Sequence, residues 1–183
     1  MLHKHQSTLG RCGSRLFFSL IFLLSTSGIA YSEIGGLWKM GGQNIDNSRH
    51  QKTEKKIGPD NVADLMPRWV LTTGGDVSAT PAVDGEYVYF PDFAGNLFKV
   101  NQDTGDVVWQ KQISDYTGVP GNFSRTTPAI HGDLLVFGDQ AGRNYGPGAK
   151  VMAVDKNTGD LVWVTQVDSH PSAIVTQSAT IHG

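Results

Sequence analysis

Residues 153–163 read A-V-D-K-N-T-G-D-L-V-W, and this stretch decides the fold. Apolar residues lead into it and out of it, and Thr158-Gly159 marks a turn between them. Glycine can adopt the positive φ that closes such a loop, because it has no Cβ to clash. We expect Asp155 and Asn157 to hold the turn by bonding nearby backbone N–H groups. The stretch therefore predicts a β-hairpin whose second strand ends in Trp163.

The same pattern occurs earlier, at residues 99–109 (K-V-N-Q-D-T-G-D-V-V-W). Around each hairpin lies a longer repeated unit. The first unit runs from Ser78 to Ile113, the second runs from Arg125 to Val167, and a third begins at Ser178. Each complete unit has four short apolar segments separated by turn residues such as Asp84-Gly85. A hairpin that recurs at a long spacing indicates a repeat architecture.

The strands of these units carry apolar residues at consecutive positions, as in Tyr87–Phe90 and Leu134–Phe137. A sheet with one face in water shows strict alternation instead, so neighbouring sheets must cover both faces, as in a β-propeller. The sequence therefore predicts an all-β, partial β-propeller of four-stranded antiparallel blades, with two complete blades and the start of a third. Trp109 and Trp163 should occupy equivalent places in the two blades. We expect Trp163 to fill a buried site, so that replacing it with alanine costs about 3–5 kcal/mol.

Composition is that of a globular, β-rich protein. Of the 183 residues, 39% are hydrophobic and 22 are glycine, and the formal net charge is −2. This charge favours neither a nucleic acid nor an anionic membrane as a partner. Cys12, the one cysteine, precedes the repeats, which excludes a disulfide framework or a cysteine-based metal site within them.

Residues 1–32 read as a secretory signal peptide. Basic residues precede the apolar stretch Leu16–Leu24, and small residues lead to a cleavage position after Ser32 or, alternatively, after Ala30. The competing interpretation is a membrane anchor, but the apolar stretch is shorter than the about 20 residues that a span requires. We therefore expect cleavage, export to the periplasm or beyond, and no stable membrane insertion.

The remaining chain divides into two parts. Residues 33–69 form an irregular N-terminal segment and a first strand, whose strand character begins at Arg68 and continues to Leu71. The charged run Lys52–Lys56 within this segment reads as a solvated surface loop. Residues 70–183 carry the incomplete set of propeller repeats.

The hairpin at 153–163 resembles the A-x-D-x-x-T-G-x-x-x-W tryptophan-docking motif of the pyrroloquinoline quinone (PQQ) repeat family at every fixed position. The earlier copy keeps the threonine, glycine and tryptophan, but it has Lys99 and Asn101 at the first and third fixed positions. In that family the tryptophan is stacked between its own blade and the next, which suits a large planar apolar ring.

Four further stretches resemble quinoprotein alcohol dehydrogenases, above all the polyvinyl-alcohol dehydrogenase branch. They are W-K-M-G-G-Q-N-I-D-N-S-R at 38–49, N-V-A-D-L-M-P-R-W at 61–69, D-Y-T-G-V-P-G-N-F-S-R-T-T-P-A-I at 115–130 and D-S-H-P-S-A-I-V-T-Q-S at 168–178. This resemblance implies hydride transfer from an alcohol to PQQ, with calcium polarising the quinone. It also implies a cytochrome c-type electron acceptor as partner and no nucleic acid.

Two residues match cofactor-binding positions of that family. Arg125, just before the second repeat, matches an arginine that pairs with a PQQ carboxylate, a strong charge-assisted contact. Thr176, just before the third repeat, matches a threonine that contacts PQQ. The alternatives are that Arg125 pairs with Asp115 or Asp139 on a blade surface, and that Thr176 is simply a β-branched strand residue.

This chain departs from the family pattern in two places. The adjacent cysteine pair expected near Val119-Pro120 is absent, and Ser78 stands where some members have a cofactor-binding glutamate. The family's calcium ligands and catalytic aspartate lie in later blades, so the resemblance implies no catalytic and no metal-binding residue here.

We expect the N-terminal part of a periplasmic PQQ-dependent alcohol dehydrogenase, which alone does not oxidise alcohols. The alternatives are a non-catalytic scaffold of PQQ-like repeats, like the propeller of the outer-membrane protein assembly machinery, and an inactive truncated remnant.

Overall fold

The structure, a computed structural model, describes residues 37–144 and 146–182, so the predicted signal peptide lies outside the described residues. The strands form two four-stranded antiparallel sheets, each built in chain order. Blade 1 contains β1 (Ala82–Asp84), β2 (Tyr87–Pro91), β3 (Asn96–Asn101) and β4 (Val107–Gln112). Blade 2 contains β5 (Ala129–His131), β6 (Leu134–Gly138), β7 (Ala149–Asp155) and β8 (Leu161–Asp168). The predicted all-β fold, with four strands in each complete repeat, is confirmed.

The helical elements are short. α1 (Ile113–Thr117) follows β4 directly, and 3₁₀ turns occupy Val62–Asp64 and Ala141–Asn144. The repeat pattern predicts that the first repeated unit ends in a strand at Ile113, but Ile113 begins α1 instead. Ile113 and Tyr116 are three positions apart, so the helix buries both on one face. In the part of the chain that the structure describes, no helix has the length and apolar character needed to cross a membrane.

Trp109 and Trp163 occupy equivalent positions in the two blades, as predicted. Trp109 pairs across the ladder with Lys99, and Trp163 pairs with Ala153. In both blades the register of the ladder shifts directly after the residue that faces the tryptophan. The two hairpins therefore share one backbone geometry, including its irregularity.

The side chain at the start of each hairpin turn accepts two hydrogen bonds from the backbone of the turn. The Asp155 Oδ1 accepts hydrogen bonds from the backbone N–H groups of Asn157 and Thr158, at 2.7 and 3.1 Å. In blade 1 the Asn101 Oδ1 accepts the two corresponding bonds, at 2.8 and 3.0 Å. An amide oxygen thus replaces the carboxylate oxygen of the motif. The prediction for Asn157 was wrong, because its side-chain amide donates to Asp133 at 3.4 Å instead.

A hydrophobic core fills the space between the two blades. It consists of the buried residues Ala82, Tyr89, Leu97, Ile113, Tyr116, Ile130, Leu135, Phe137, Met152 and Val154. The opposite face of blade 1 is covered by Trp69 and Leu71, which pack against a second cluster, Val88, Phe90, Phe98 and Val100. Both faces of blade 1 are therefore covered, which explains the consecutive apolar positions in its strands.

The segment that covers blade 1 is not a strand. Arg68–Leu71 was predicted to have strand character, but it joins no β-ladder. Side chains hold it instead: the Trp69 indole N–H donates to the Gln102 carbonyl at 2.8 Å, and Arg68 pairs with Asp103 at 2.8 Å. The segment packs on the face of a sheet whose backbone groups are already paired within the sheet, so the covering residues have no ladder to join.

Trp109 lies between the blades, whereas Trp163 does not. The Trp109 indole N–H donates to the Lys156 carbonyl of blade 2 at 3.2 Å. Trp163 is 39% exposed, and every residue of β8 is exposed. The prediction that Trp163 fills a buried site was wrong, because among the described residues no blade covers the outer face of β8.

Lys99, which replaces the first alanine of the motif, is buried at the interface between the blades. Its ammonium group lies 3.9 Å from the centroid of the Tyr87 ring. Burial lowers the pKa of Lys99, and the positive charge of Lys156 lowers it further. Lys156 in turn pairs with Asp84 at 2.6 Å, so an ion pair as well as apolar contacts joins the two blades.

The N-terminal segment joins the first strands of both blades. Trp38 and Val83 exchange backbone hydrogen bonds of 3.0 and 2.9 Å, which adds a bridge to the edge of β1. The Lys39 carbonyl accepts a 2.7 Å hydrogen bond from the Ile130 N–H of β5. Because β1 and β5 also contact each other, the segment lies where the two blades converge.

Candidate functional site

A polar cavity of about 360 Å³ lies where the N-terminal loop meets the starts of the three repeats. Loop 41–49 forms one side of it. The repeats contribute residues 78–80 ahead of β1, Arg125 and Thr127 ahead of β5, and residues 176–180. Equivalent positions of successive repeats converge here because β1 and β5 lie side by side.

Arg125 and Thr176, the two residues predicted to bind a cofactor, both line this cavity. Ser78, which stands at the position of a cofactor-binding glutamate in some relatives, lines it as well. Arg125 and Thr176 are exposed. The structure therefore brings together side chains that the sequence assigned to different repeats.

The two neighbours of Arg125 are buried and hydrogen-bonded, unlike Arg125 itself. Ser124 and Thr126 are buried, with their hydroxyl oxygens 3.1 Å apart. The Thr126 hydroxyl also accepts a 3.1 Å hydrogen bond from the Gly138 N–H of blade 2. Both neighbours are held inside the blade, whereas Arg125 is exposed and lines the cavity.

Three distant segments meet at the wall of the cavity. The Ser178 hydroxyl accepts a 2.9 Å hydrogen bond from the Thr127 N–H, which attaches the third repeat to the second. Gly41 packs against the same serine, because a Cβ at position 41 would lie only 2.9 Å from the Ser178 Cβ. The close approach of the N-terminal loop to the third repeat therefore requires glycine at this position.

The cavity wall carries two positive charges and no negative charge. Arg49 and Arg125 line it, and the other lining residues are neutral, most of them with hydroxyl or amide groups. Asp46 belongs to the same loop but does not line the cavity. Among the described residues, neither arginine forms an ion pair. This wall suits an anionic ligand, which would find charged partners and hydrogen-bond donors.

The alternative partners of Arg125 do not pair with it. Asp115 forms no ion pair among the described residues. Asp139 is buried, and its carboxylate accepts hydrogen bonds of 2.8 Å from the Asn122 side-chain amide and from the Lys150 N–H. Asp139 therefore has a structural role inside blade 2, and Arg125 is left to the cavity.

Replacing Asp139 with asparagine should lower the free energy of unfolding by about 1–3 kcal/mol. The new side chain carries an NH₂ group, so one of the buried N–H donors that now bond the carboxylate, such as the Asn122 amide, would lose its acceptor. Chemical denaturation followed by far-UV circular dichroism measures the loss. Asp133→Asn, at an exposed turn position, serves as the control and should change stability by less than about 0.5 kcal/mol. Equal stabilities of the two variants would show that the Asp139 carboxylate does not hold the blade together.

A larger cavity, of about 750 Å³, is lined by Trp38 and other residues of the N-terminal segment together with Pro81 and Val83. Neither Arg125 nor Thr176 lines it, and its charged residues, Glu54, Lys55 and Lys56, have mixed signs. These features give no reason to place the predicted cofactor there. We therefore assign the candidate site to the smaller, polar cavity.

Arg49 could not be selected from the sequence, although the stretch 38–49 that contains it resembles quinoprotein alcohol dehydrogenases. The available signal was an arginine at the end of a glycine- and asparagine-rich loop. Such a loop gives no indication of where it folds back onto the propeller. Only the structure shows that Arg49 shares a cavity with Arg125.

Comparison with known proteins identifies repeat-containing relatives. The PQQ-repeat model described as outer membrane protein assembly factor BamB matches residues 63–180. Methanol dehydrogenase [cytochrome c] subunit 1 of Methylobacterium organophilum is 28% identical over 141 residues, which are 75% of this chain and 20% of that protein. Polyvinylalcohol dehydrogenase of Pseudomonas sp is 23% identical over 146 residues, which are 79% of this chain and 22% of that protein.

The chain spans about a fifth of the length of these curated relatives. Among solved structures, a europium-containing methanol dehydrogenase aligns with 73% of this chain and 32% of its own, at 17% identity and a TM-score of 0.48.

Proposed function

This chain belongs to the PQQ-repeat family, and from that premise we propose that it contributes the N-terminal blades of a PQQ-dependent alcohol dehydrogenase of the polyvinyl-alcohol dehydrogenase type. One observation carries the proposal: Arg125 and Thr176 line a single cavity that bears two arginines and no carboxylate. PQQ carries several carboxylates, so a wall of guanidinium, hydroxyl and amide groups fits its charge.

When bound, PQQ supplies the acceptor for the hydride that leaves the alcohol carbon. The residues of this chain would bind and orient the cofactor. The guanidinium of Arg125 would pair with one carboxylate, and the hydroxyl of Thr176 would donate a hydrogen bond to an oxygen of the same ligand. Neither residue moves a proton or a hydride, so both are binding residues.

In this proposal, calcium is bound by the whole enzyme and not by the residues of this chain. Calcium prefers carboxylate and carbonyl oxygens, and no carboxylate lines the polar cavity. In residues 37–144 and 146–182, no three histidine, cysteine, aspartate or glutamate side chains come together to hold a metal ion. We therefore assign to this chain the anion-binding side of the cofactor site.

The alcohol substrate, a cytochrome c-type electron acceptor and export to the periplasm or beyond are further parts of the proposal. Export is supported by the predicted signal peptide in residues 1–32. The acceptor is supported by the relative whose name includes cytochrome c.

Replacing Arg125 with alanine should weaken PQQ binding roughly 10- to 100-fold, because a charged hydrogen bond contributes about 1.5–3 kcal/mol. Equilibrium dialysis of PQQ against a full-length version of the protein measures this change directly. Arg68→Ala is the matched control, since Arg68 is an exposed arginine outside the cavity. The same dissociation constant for wild type and Arg125→Ala would remove Arg125 from the site.

A non-catalytic scaffold is the second candidate function. It is favoured by the matching family model, whose description is outer membrane protein assembly factor BamB. A scaffold would give no specific PQQ binding and no dependence on Arg125. PQQ binding that Arg125→Ala weakens and Arg68→Ala preserves would therefore favour the dehydrogenase over the scaffold.

A further inference from the structure

We propose that Arg49 is a second anion-binding residue of the polar cavity, so that the cavity selects ligands with two or more carboxylates over ligands with one. The inference deepens the proposed function and rests on it for the identity of the ligand. It assigns the N-terminal loop a direct part in recognition.

Arg49 has the position and the bonding that this role requires. It lines the same cavity as Arg125, although the two residues belong to distant parts of the chain. Its one side-chain hydrogen bond among the described residues runs from Nε to the Asn47 Oδ1, at 3.4 Å. The other guanidinium N–H groups therefore remain for a ligand, as a bidentate contact to a carboxylate requires.

The loop holds Arg49 in place through an unusual backbone. Within the described residues, the non-glycine residues with positive φ are Gln43, Asn47 and Arg49, at 75°, 51° and 50°, and all belong to this loop. Such conformations are unfavourable and persist where surrounding contacts impose them, which occurs most often at functional sites. Here the Arg49 N–H donates to the Gly42 carbonyl at 3.1 Å, so the end of the loop returns to its start.

Contacts with the blades anchor the base of the loop. Gly41 packs against Ser178, and Trp38 pairs with Val83 of β1. The loop therefore presents Arg49 from a fixed base at the convergence of the blades.

The two arginines repel each other across a wall that offers no compensating carboxylate. A monocarboxylate neutralises one of the two charges, whereas a dicarboxylate pairs with both and also removes their repulsion. Selectivity for dicarboxylates therefore follows from charge alone and does not require PQQ as the ligand. PQQ is the member of this chemical class that the proposed function names.

The test compares two simple probes, benzoate and benzene-1,3-dicarboxylate, by isothermal titration calorimetry with the full chain. Wild type should bind the dicarboxylate about tenfold or more tightly than benzoate, since it gains one more charged contact. Arg49→Asn should remove this preference, and Arg49→Lys should retain most of it. Asparagine is chosen because it tolerates positive φ, so the loop should fold normally.

Arg68→Asn is the control and should preserve the preference, because Arg68 lies outside the cavity. Equal binding of the two probes by wild type would overturn the inference, as would a preference that survives in Arg49→Asn. Circular dichroism of each variant confirms that the fold is intact.

A parallel titration with PQQ separates this inference from the proposed function. PQQ binding that depends on Arg125 but is unchanged in Arg49→Asn would overturn the role of Arg49 and leave the proposed function standing. In a full-length version of the protein, a dicarboxylate preference that depends on Arg49, without any PQQ binding, would support the role of Arg49 and contradict the proposed function.

Discussion

Replacing Gly159 with valine should lower the free energy of unfolding by about 4 kcal/mol, from backbone strain and overpacking together. Gly159 has a φ of +75°, a conformation that a β-branched residue strongly resists. A Cβ at this position would also lie 2.9 Å from the Lys111 Cγ and 3.1 Å from the Trp109 Cδ2. The new side chain would therefore push the turn of blade 2 away from β4 of blade 1.

Gly85→Val is the control that separates the two causes. Gly85 also has a positive φ, +62°, but an added Cβ there would have no atom within 4 Å. This variant should lose only the strain contribution, about 1–2 kcal/mol. Urea denaturation of both variants gives the difference, which measures the contact between the blades. Equal losses would show that the Gly159 turn does not pack against Trp109.

Replacing Trp109 with alanine should lower the free energy of unfolding by about 3 kcal/mol, the lower end of the usual range for removing an aromatic side chain from a core, because Trp109 is only partly buried. The Trp109 ring packs against the core between the blades, and its indole N–H reaches the Lys156 carbonyl of blade 2. Both contacts disappear with the ring. The loss should also reduce cooperativity between the blades, because the substitution opens the interface that couples them.

Trp163→Ala is the matched control, because Trp163 has the same place in its ladder as Trp109. Trp163 is 39% exposed, so its removal should cost only about 1 kcal/mol. Chemical denaturation followed by far-UV circular dichroism compares the two. A loss at Trp163 as large as that at Trp109 would mean that the outer face of β8 is covered in solution.

Local features of the blades could be predicted because they depend on residues close together in the chain. The four strands of each repeat follow from short apolar runs between turn residues, and the structure confirms them. The turns at Gly85, Gly105 and Gly159 have the positive φ that the sequence predicts. Asn101 shows how tolerant such a turn is, since its amide oxygen accepts the bonds that the Asp155 carboxylate accepts in blade 2.

The candidate site was predictable only in part. Arg125 and Thr176 could be selected because their surroundings resemble those of cofactor-binding residues, and both line the polar cavity. Their binding of PQQ stays a prediction. Arg49 could not be selected, because no sequence pattern indicates where the last residue of a loop with unusual φ angles lies in the folded protein.

By itself, the sequence determined the number of strands in each repeat, their order and the position of each turn, since hydrophobic pattern and backbone preference act over a few residues. Only the tertiary structure decided that Trp109 is partly buried against blade 2 whereas Trp163 is exposed, although the two occupy the same position in two copies of the motif. It also decided that Arg49 meets Arg125. Burial and proximity depend on which distant segments pack together, and no local pattern records that packing.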